Sequence, residues 1–271
     1  MPLQPNPEAG IRTVIDHLMT ESTHPPVYFV LTHLWMKLFA QDGGMLSFWA
    51  ARSLSAIIGA ASIPAIFGLG WLAFRSRLVG QMAAAMMAVS PYSIYLAQEA
   101  RQYTLAILLL IASLCCLVMA TQAFHRRIPL PLWVGLIWVG VNSLGIAVHY
   151  FFILPVCAEA LVLIGFRIWE LRSGINRQTP RSHSRLLYAI AAGTLVGGLV
   201  WLPVWQRISK SELTQWIYAG HPLNNWLETI GRFLAWTITM LSLLPVEGTT
   251  RPIVLTSGAV LVIFVLWALS S

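Results

Sequence analysis

From Tyr103 to Phe124 the chain carries no charged residue and is built mostly of Leu, Ile, Ala, Val and Cys. A helix of about 20 such residues matches the hydrocarbon core of a bilayer. Comparable runs are expected to span at 48–72, 80–98, 103–124, 130–149, 150–167, 186–206, 228–247 and 252–270. Composition agrees: the chain is 57% hydrophobic and only 10% charged, with 12 Trp. The fold class expected from this pattern is all-α, a polytopic membrane helical bundle of about eight spanning helices. Its domain organisation is an external segment over 1–47 and a multi-span domain over 48–271.

The net charge of +7 does not point to nucleic acid, because the basic residues gather in short connections and make no basic face. Arg75, Arg77, Arg126, Arg127, Arg167, Arg172, Arg177, Arg181 and Arg185 fall in the connections 73–80, 125–129 and 166–186. Alternating spans put these three on one side, and the excess of arginine marks that side as cytoplasmic. The external side then carries the N-terminal segment, the junction near residue 100, His149-Tyr150 and the loop 206–227. Met1 to Gly10 has neither the basic start nor the apolar core of a signal peptide.

Residues 9–20 read as an amphipathic helix with Ile11, Val14, Ile15, Leu18 and Met19 on one stripe. Asp16 and His17 lie off it, on a solvated face or facing a surface site. Thr23-His24-Pro25-Pro26 precedes a segment, Val27 to Phe39, too short to cross a bilayer and expected to lie at the interface. Cys115, Cys116 and Cys157 have no metal or disulfide spacing and are expected to be small buried hydrophobes.

The polar cluster Gln98-Glu99-Ala100-Arg101-Gln102 sits where one apolar run ends and the next begins. If helical, it places Gln98 and Gln102 on one face and Tyr95, Glu99 and Gln102 on a neighbouring one. Pro91 is expected to kink the span before it. Glu99 and Arg101 either cap a short hairpin in water or line an external cavity, where an arginine fork suits a phosphate. His149-Tyr150-Phe151-Phe152 are read either as an interfacial aromatic belt or as hydrogen-bonding groups at the roof of the same cavity, and the Trp201-Leu202-Pro203-Val204-Trp205 stretch with Trp216, Tyr218, His221 and Trp226 as a belt first and a sugar-stacking surface second. No phosphate-binding glycine loop, zinc spacing or nucleophile elbow occurs.

Three of these motifs carry a resemblance. Thr23-His24-Pro25-Pro26-Val27-Tyr28-Phe29, then Ser90-Pro91 with Gln98-Glu99-Ala100-Arg101 and Tyr103, then His149-Tyr150-Phe151-Phe152, resemble the multipass glycosyltransferases of the GT-C type. That group includes the protein O-mannosyltransferases and aminoarabinose transferases of glycosyltransferase family 39 and its relatives. Order and spacing agree over roughly residues 9–205. The resemblance implies inverting transfer of a sugar from a polyprenyl-phosphate donor to a protein, lipid or glycan acceptor, on the outer face of the plasma membrane. It implies no cofactor beyond that lipid-linked substrate and gives no metal ligands. It makes His24, Glu99, Arg101, Tyr103, His149 and Tyr150 the expected donor, phosphate or cavity residues. His24 and Arg101 would stand near the lipid phosphate, with Glu99 orienting Arg101 or accepting a hydrogen bond from sugar or acceptor.

The family's catalytic Asp follows a first spanning helix. No matching Asp-Glu pair occurs here, and no spanning run precedes residue 48. The catalytic residue is therefore unknown, and the resemblance leads one to expect a chain truncated at both ends. The competing readings are a membrane transporter or flippase for a lipid-linked or small polar substrate, and an inactive relative that binds the carrier or a partner. Transport is disfavoured by the placement of the polar groups at one rim, since transporters hold them near the midplane.

Overall fold

The computed structural model describes residues 10–21, 24–39, 48–126, 128–172, 180–199, 201–202, 226–244 and 250–270. Every regular element among them is helical: α1 (Ile11–Glu21), α2 (Pro26–Lys37), α3 (Phe48–Phe74), α4 (Arg77–Val89), α5 (Pro91–Gln98), α6 (Tyr103–His125), α7 (Leu132–Val148), a 3-10 turn (Tyr150–Phe152), α8 (Ile153–Arg172), α9 (Pro180–Leu199), α10 (Trp226–Leu241) and α11 (Arg251–Ser270). Among the described residues, two helices are long and apolar enough to cross a membrane, α3 and α6. At 1.5 Å per residue their 27 and 23 residues extend about 40 and 35 Å, enough for a hydrocarbon core of about 30 Å. The stretches Arg77–Val89, Leu132–Val148, Tyr150–Phe166, Ile190–Leu199 and Arg251–Phe264 are apolar but shorter.

The expected span at 80–98 is two helices. Ser90 is extended (φ −64, ψ 117), ends α4, and caps α5 by accepting a hydrogen bond from the Ser93 N–H at 3.3 Å. The cause is Pro91: it lacks an N–H for a continuous helix, pushes its predecessor out of the helical region, and fits the first helical position. The proline starts a new helix where a kink was expected.

The centre of the bundle is α6, packed on α3 and α7, with α9 lying along α7. Gly193 and Gly197 let α9 approach closely. A Cβ at Gly197 would stand 2.6 Å from the Ser143 carbonyl oxygen, a contact only glycine allows. Trp138, Val134, Val148 and Ala120 are fully buried at this core. Cys116 is buried and Cys115 partly so, but Cys157 is exposed. Its position on the outward side of α8 overturns the expectation of three buried thiols.

The bundle has two chemically different ends. At one, the Arg75 guanidinium donates to Gln122 Oε1 at 2.8 Å, and Gln122 Nε2 donates to the Leu72 carbonyl at 2.8 Å. Arg77 stacks over Trp71, 5.7 Å from its ring centre. Arg127 and Arg177 lie outside the described residues, as do the side chains of Arg167, Arg181 and Arg185. The opposite end is formed by α2, the C-termini of α5 and α7 and the N-termini of α6 and α8.

Candidate functional site at the rim of the bundle

The turn between α5 and α6 replaces the continuous helix on which shared faces were expected. Glu99 is extended (φ −88, ψ 133), so Gln98, Glu99 and Gln102 share no helical face. The Arg101 N–H closes on the Glu99 carbonyl at 2.8 Å. Arg101 Nε lies 3.3 Å from Glu99 Oε2, and the Arg101 side chain is 59% exposed. An ion pair this open contributes little to stability, but it orients the guanidinium. Gln102 is buried beneath the turn, and its Oε1 has no hydrogen-bond partner.

A hydroxyl relay joins this turn to the proline motif. Pro26 occupies the first position of α2 and so fixes where the helix begins. That places Tyr28 inward, fully buried. Tyr28 Oη donates to Ser55 Oγ on α3, and Ser55 Oγ donates to the Arg101 carbonyl at 3.4 Å. Trp35 Nε1 adds a bond to Ser53 Oγ at 2.9 Å. The two segments, far apart in sequence, are therefore held together through one serine that the sequence reading did not single out.

The third motif arrives from α7. His149 is extended (φ −152, ψ 119), and its Nδ1 accepts from the Phe151 N–H at 3.2 Å, capping the 3-10 turn. This bond requires a lone pair on Nδ1, so a neutral His149 carries its proton on Nε2. The His149 ring lies 5.7 Å from Tyr103 and 5.3 Å from Tyr150, and Tyr150 meets Trp201 edge-on at 5.5 Å. Trp201 is itself anchored by its indole N–H to the Ile146 carbonyl at 2.8 Å.

Electrostatics ties the three motifs together. His24 is held below the ordinary imidazole value, first by loss of hydration and second by the Arg101 guanidinium. His149 is lowered by burial first and by His24 second. Both effects favour the neutral ring. All six expected residues, His24, Glu99, Arg101, Tyr103, His149 and Tyr150, therefore lie in one neighbourhood. Tyr92, next to Tyr103, belongs to it as well. This cluster can meet an anion with one fixed cation and two histidines that an anion would help to protonate, beside an aromatic surface. Among the described residues it contains no group of three or more metal-ligating side chains.

Other expected contributors stand apart. Asp16 and His17 are exposed on α1. Trp205, Trp216, Tyr218 and His221 lie outside the described residues, as does the side chain of Trp226. A cavity of about 240 Å³ lies between α3, α4, α5 and α6, lined by Gly59, Ser62, Met87, Ser93, Gln98 and Thr104 among others. It is mostly apolar and takes in none of the six rim residues.

A second polar cluster was missed altogether. Glu159, in the expected plain span 150–167, is buried against Ser113, Trp138 and Asn142. Polar groups are thus not confined to one rim, as the sequence reading had them. The signal available was a lone Glu in an apolar run, since intramembrane carboxyls are costly and rare. No protein-family model, curated protein or solved structure matches the chain.

Proposed function

We propose that this chain is a membrane glycosyltransferase of the inverting GT-C type, drawing its sugar from a polyprenyl-phosphate donor at the outer face of the plasma membrane. The observation that carries this reading is the convergence of three motifs on one rim: His-Pro-Pro and Gln-Glu-Ala-Arg joined through Tyr28, Ser55 and the Arg101 carbonyl, and His-Tyr reached through the Tyr103–His149 ring contact. Two arginines of the opposite end, Arg75 and Arg77, suit a cytoplasmic face. In this reading about eight helices span, with the rim cluster outward and the lipid chain in the bilayer.

Displacing a sugar from a lipid phosphate builds negative charge on the departing phosphate. Arg101, oriented by Glu99, offers its fork to that phosphate. The His24 ring and the Nε2 of His149 supply further donors. Tyr103 and Tyr150, the latter backed by the buried Trp201, form a surface against which a sugar ring packs. The general base for the acceptor hydroxyl is not among these residues.

The test is binding and transfer with a polyprenyl-phosphate sugar, using the chain in lipid nanodiscs. Saturable binding of polyprenyl phosphate, absent with the uncharged polyprenol and lost in Arg101→Ala, supports the reading, and sugar transfer to an acceptor completes it. Equal binding of phosphate and alcohol overturns it.

A transporter or flippase is the second reading, favoured by the Glu159 cluster inside the bundle. Flux of a lipid-linked or small polar solute into proteoliposomes, without transfer, would establish it in place of the first.

A further inference from the structure

Three helices meet on one carboxyl, away from the rim. Glu159 of α8 is 2% exposed. Its Oε2 lies 2.9 Å from Ser113 Oγ of α6 and 3.0 Å from Trp138 Nε1 of α7. Ser113 Oγ is also 2.8 Å from Asn142 Oδ1 and 2.9 Å from Trp138 Nε1. Ser113, Trp138 and Asn142 are fully buried. Along their helices these groups lie about 9–15 Å below the rim, within a core of about 30 Å.

The hydrogens do not suffice for the acceptors. The Ser113 hydroxyl has one hydrogen, for either Asn142 Oδ1 or Glu159 Oε2. The indole N–H is shared between Ser113 Oγ and Glu159 Oε2. Glu159 Oε1 and Asn142 Nδ2 have no partner. Rotating the Asn142 amide by half a turn gives Nδ2 to Ser113 Oγ and frees the hydroxyl hydrogen for Glu159 Oε2. It leaves Asn142 Oδ1 and Glu159 Oε1 as two acceptors with no donor. In the first orientation Asn142 Nδ2 lies beside the carboxyl but makes no hydrogen bond to Oε1, and in the second Oε1 is left without a donor.

No cation supplies the deficit. Among the described residues Glu159 has no ion-pair partner, and its other titratable neighbour is the thiol of Cys116. A lone carboxylate this deep is strongly disfavoured. We propose that Glu159, Ser113, Trp138 and Asn142 form a buried proton-binding site, in which Glu159 holds a proton on Oε1 and the cluster is uncharged. The bound proton supplies the missing hydrogen, and the rotated Asn142 amide, with Oδ1 released from Ser113, offers the acceptor. The site is an uncharged clasp across α6, α7 and α8, and it stands whether or not the rim transfers sugar.

The experiment is infrared spectroscopy of the full chain in lipid nanodiscs at neutral pH, with and without sodium and potassium salts. The expected result is a carbonyl stretch of an undissociated carboxylic acid that is insensitive to the salts and disappears in Glu159→Gln. The amide in that variant carries its own hydrogens at the same place. Trp138→Phe removes the N–H that meets Oε2, so it shifts the band without abolishing it. That assigns the band even if Glu159→Gln does not assemble. A folded protein with no acid band overturns the proposal, because the carboxyl is then charged. A band lost on adding salt at constant pH overturns it in favour of a metal-cation site. A band that neither variant alters belongs to another carboxyl and also overturns it.

Discussion

The rim and interior clusters are both polar, but the chain builds them in opposite ways. Rim residues sit on helix ends and turns: His24 before α2, Arg101 in the turn before α6, His149 at the end of α7. Water or a ligand can reach them, so an open ion pair such as Glu99–Arg101 is tolerated without contributing much. Interior residues sit in mid-helix, and each depends on another helix for its hydrogen bonds. A polar group there without a partner is expensive. The contrast separates ligand chemistry from assembly: rim substitutions should alter binding with little loss of fold, and interior substitutions should do the reverse.

The largest effect expected is at the interior. Glu159→Ala opens a void and removes the α8 acceptor that Trp138 and Ser113 share, costing about 3 kcal/mol of stability. Glu159→Gln should stay close to the parent. Thermal unfolding of both variants in detergent checks this, and an undisturbed Glu159→Ala would erase the distinction between the clusters. Arg101→Ala is the reciprocal case. On the proposed function, transfer from a polyprenyl-phosphate sugar should drop about 100-fold, while stability changes by less than about 1 kcal/mol. A matching loss of stability would make Arg101 structural.

Tyr28→Phe falls between the two, because Tyr28 is buried like the interior residues yet serves the rim. Losing its hydroxyl leaves Ser55 without that donor and should cost about 1 kcal/mol. It should also loosen the hold of α2 on the 99–102 turn, so polyprenyl-phosphate binding weakens modestly. Unfolding and binding measured on the same sample separate the two consequences.

What the sequence disclosed follows the same division. Rim residues interrupt apolar runs, so each one stood out, and the three motifs gave the helix ends that the structure places together. Pro91 was legible as a break, but a proline signal alone does not distinguish a kink from a restart. Ser90, with a side chain able to cap α5, decided it. The shared faces drawn through Gln98, Glu99 and Gln102 failed because a helical period was carried across a turn. Glu159 was legible as a lone carboxyl in an apolar run, but its grouping with Asn142 and Ser113 was invisible for a different reason. They come from three helices, and no local pattern links residues that only tertiary packing brings together. Ser55 went unseen for the same reason.

The smallest effect sharpens the comparison most directly, because it predicts opposite slopes for one pair of residues. His24 and His149 both lie below the ordinary value of 6.5 in the folded chain. Between that value and their lowered ones, the unfolded chain binds more protons, so stability is full above about pH 6.5 and falls as the pH drops through this window. Protonating His149 on Nδ1 also removes the acceptor of the Phe151 N–H. A phosphate at the rim reverses the preference, since its charge favours both imidazolium rings. Polyprenyl-phosphate binding should therefore strengthen with acidification while the ligand-free protein weakens. His24→Gln should flatten both slopes, whereas Glu159→Gln should leave the binding slope unchanged. Binding and unfolding followed across the same pH series decide the matter: if binding also weakens on acidification, the phosphate does not sit between these histidines.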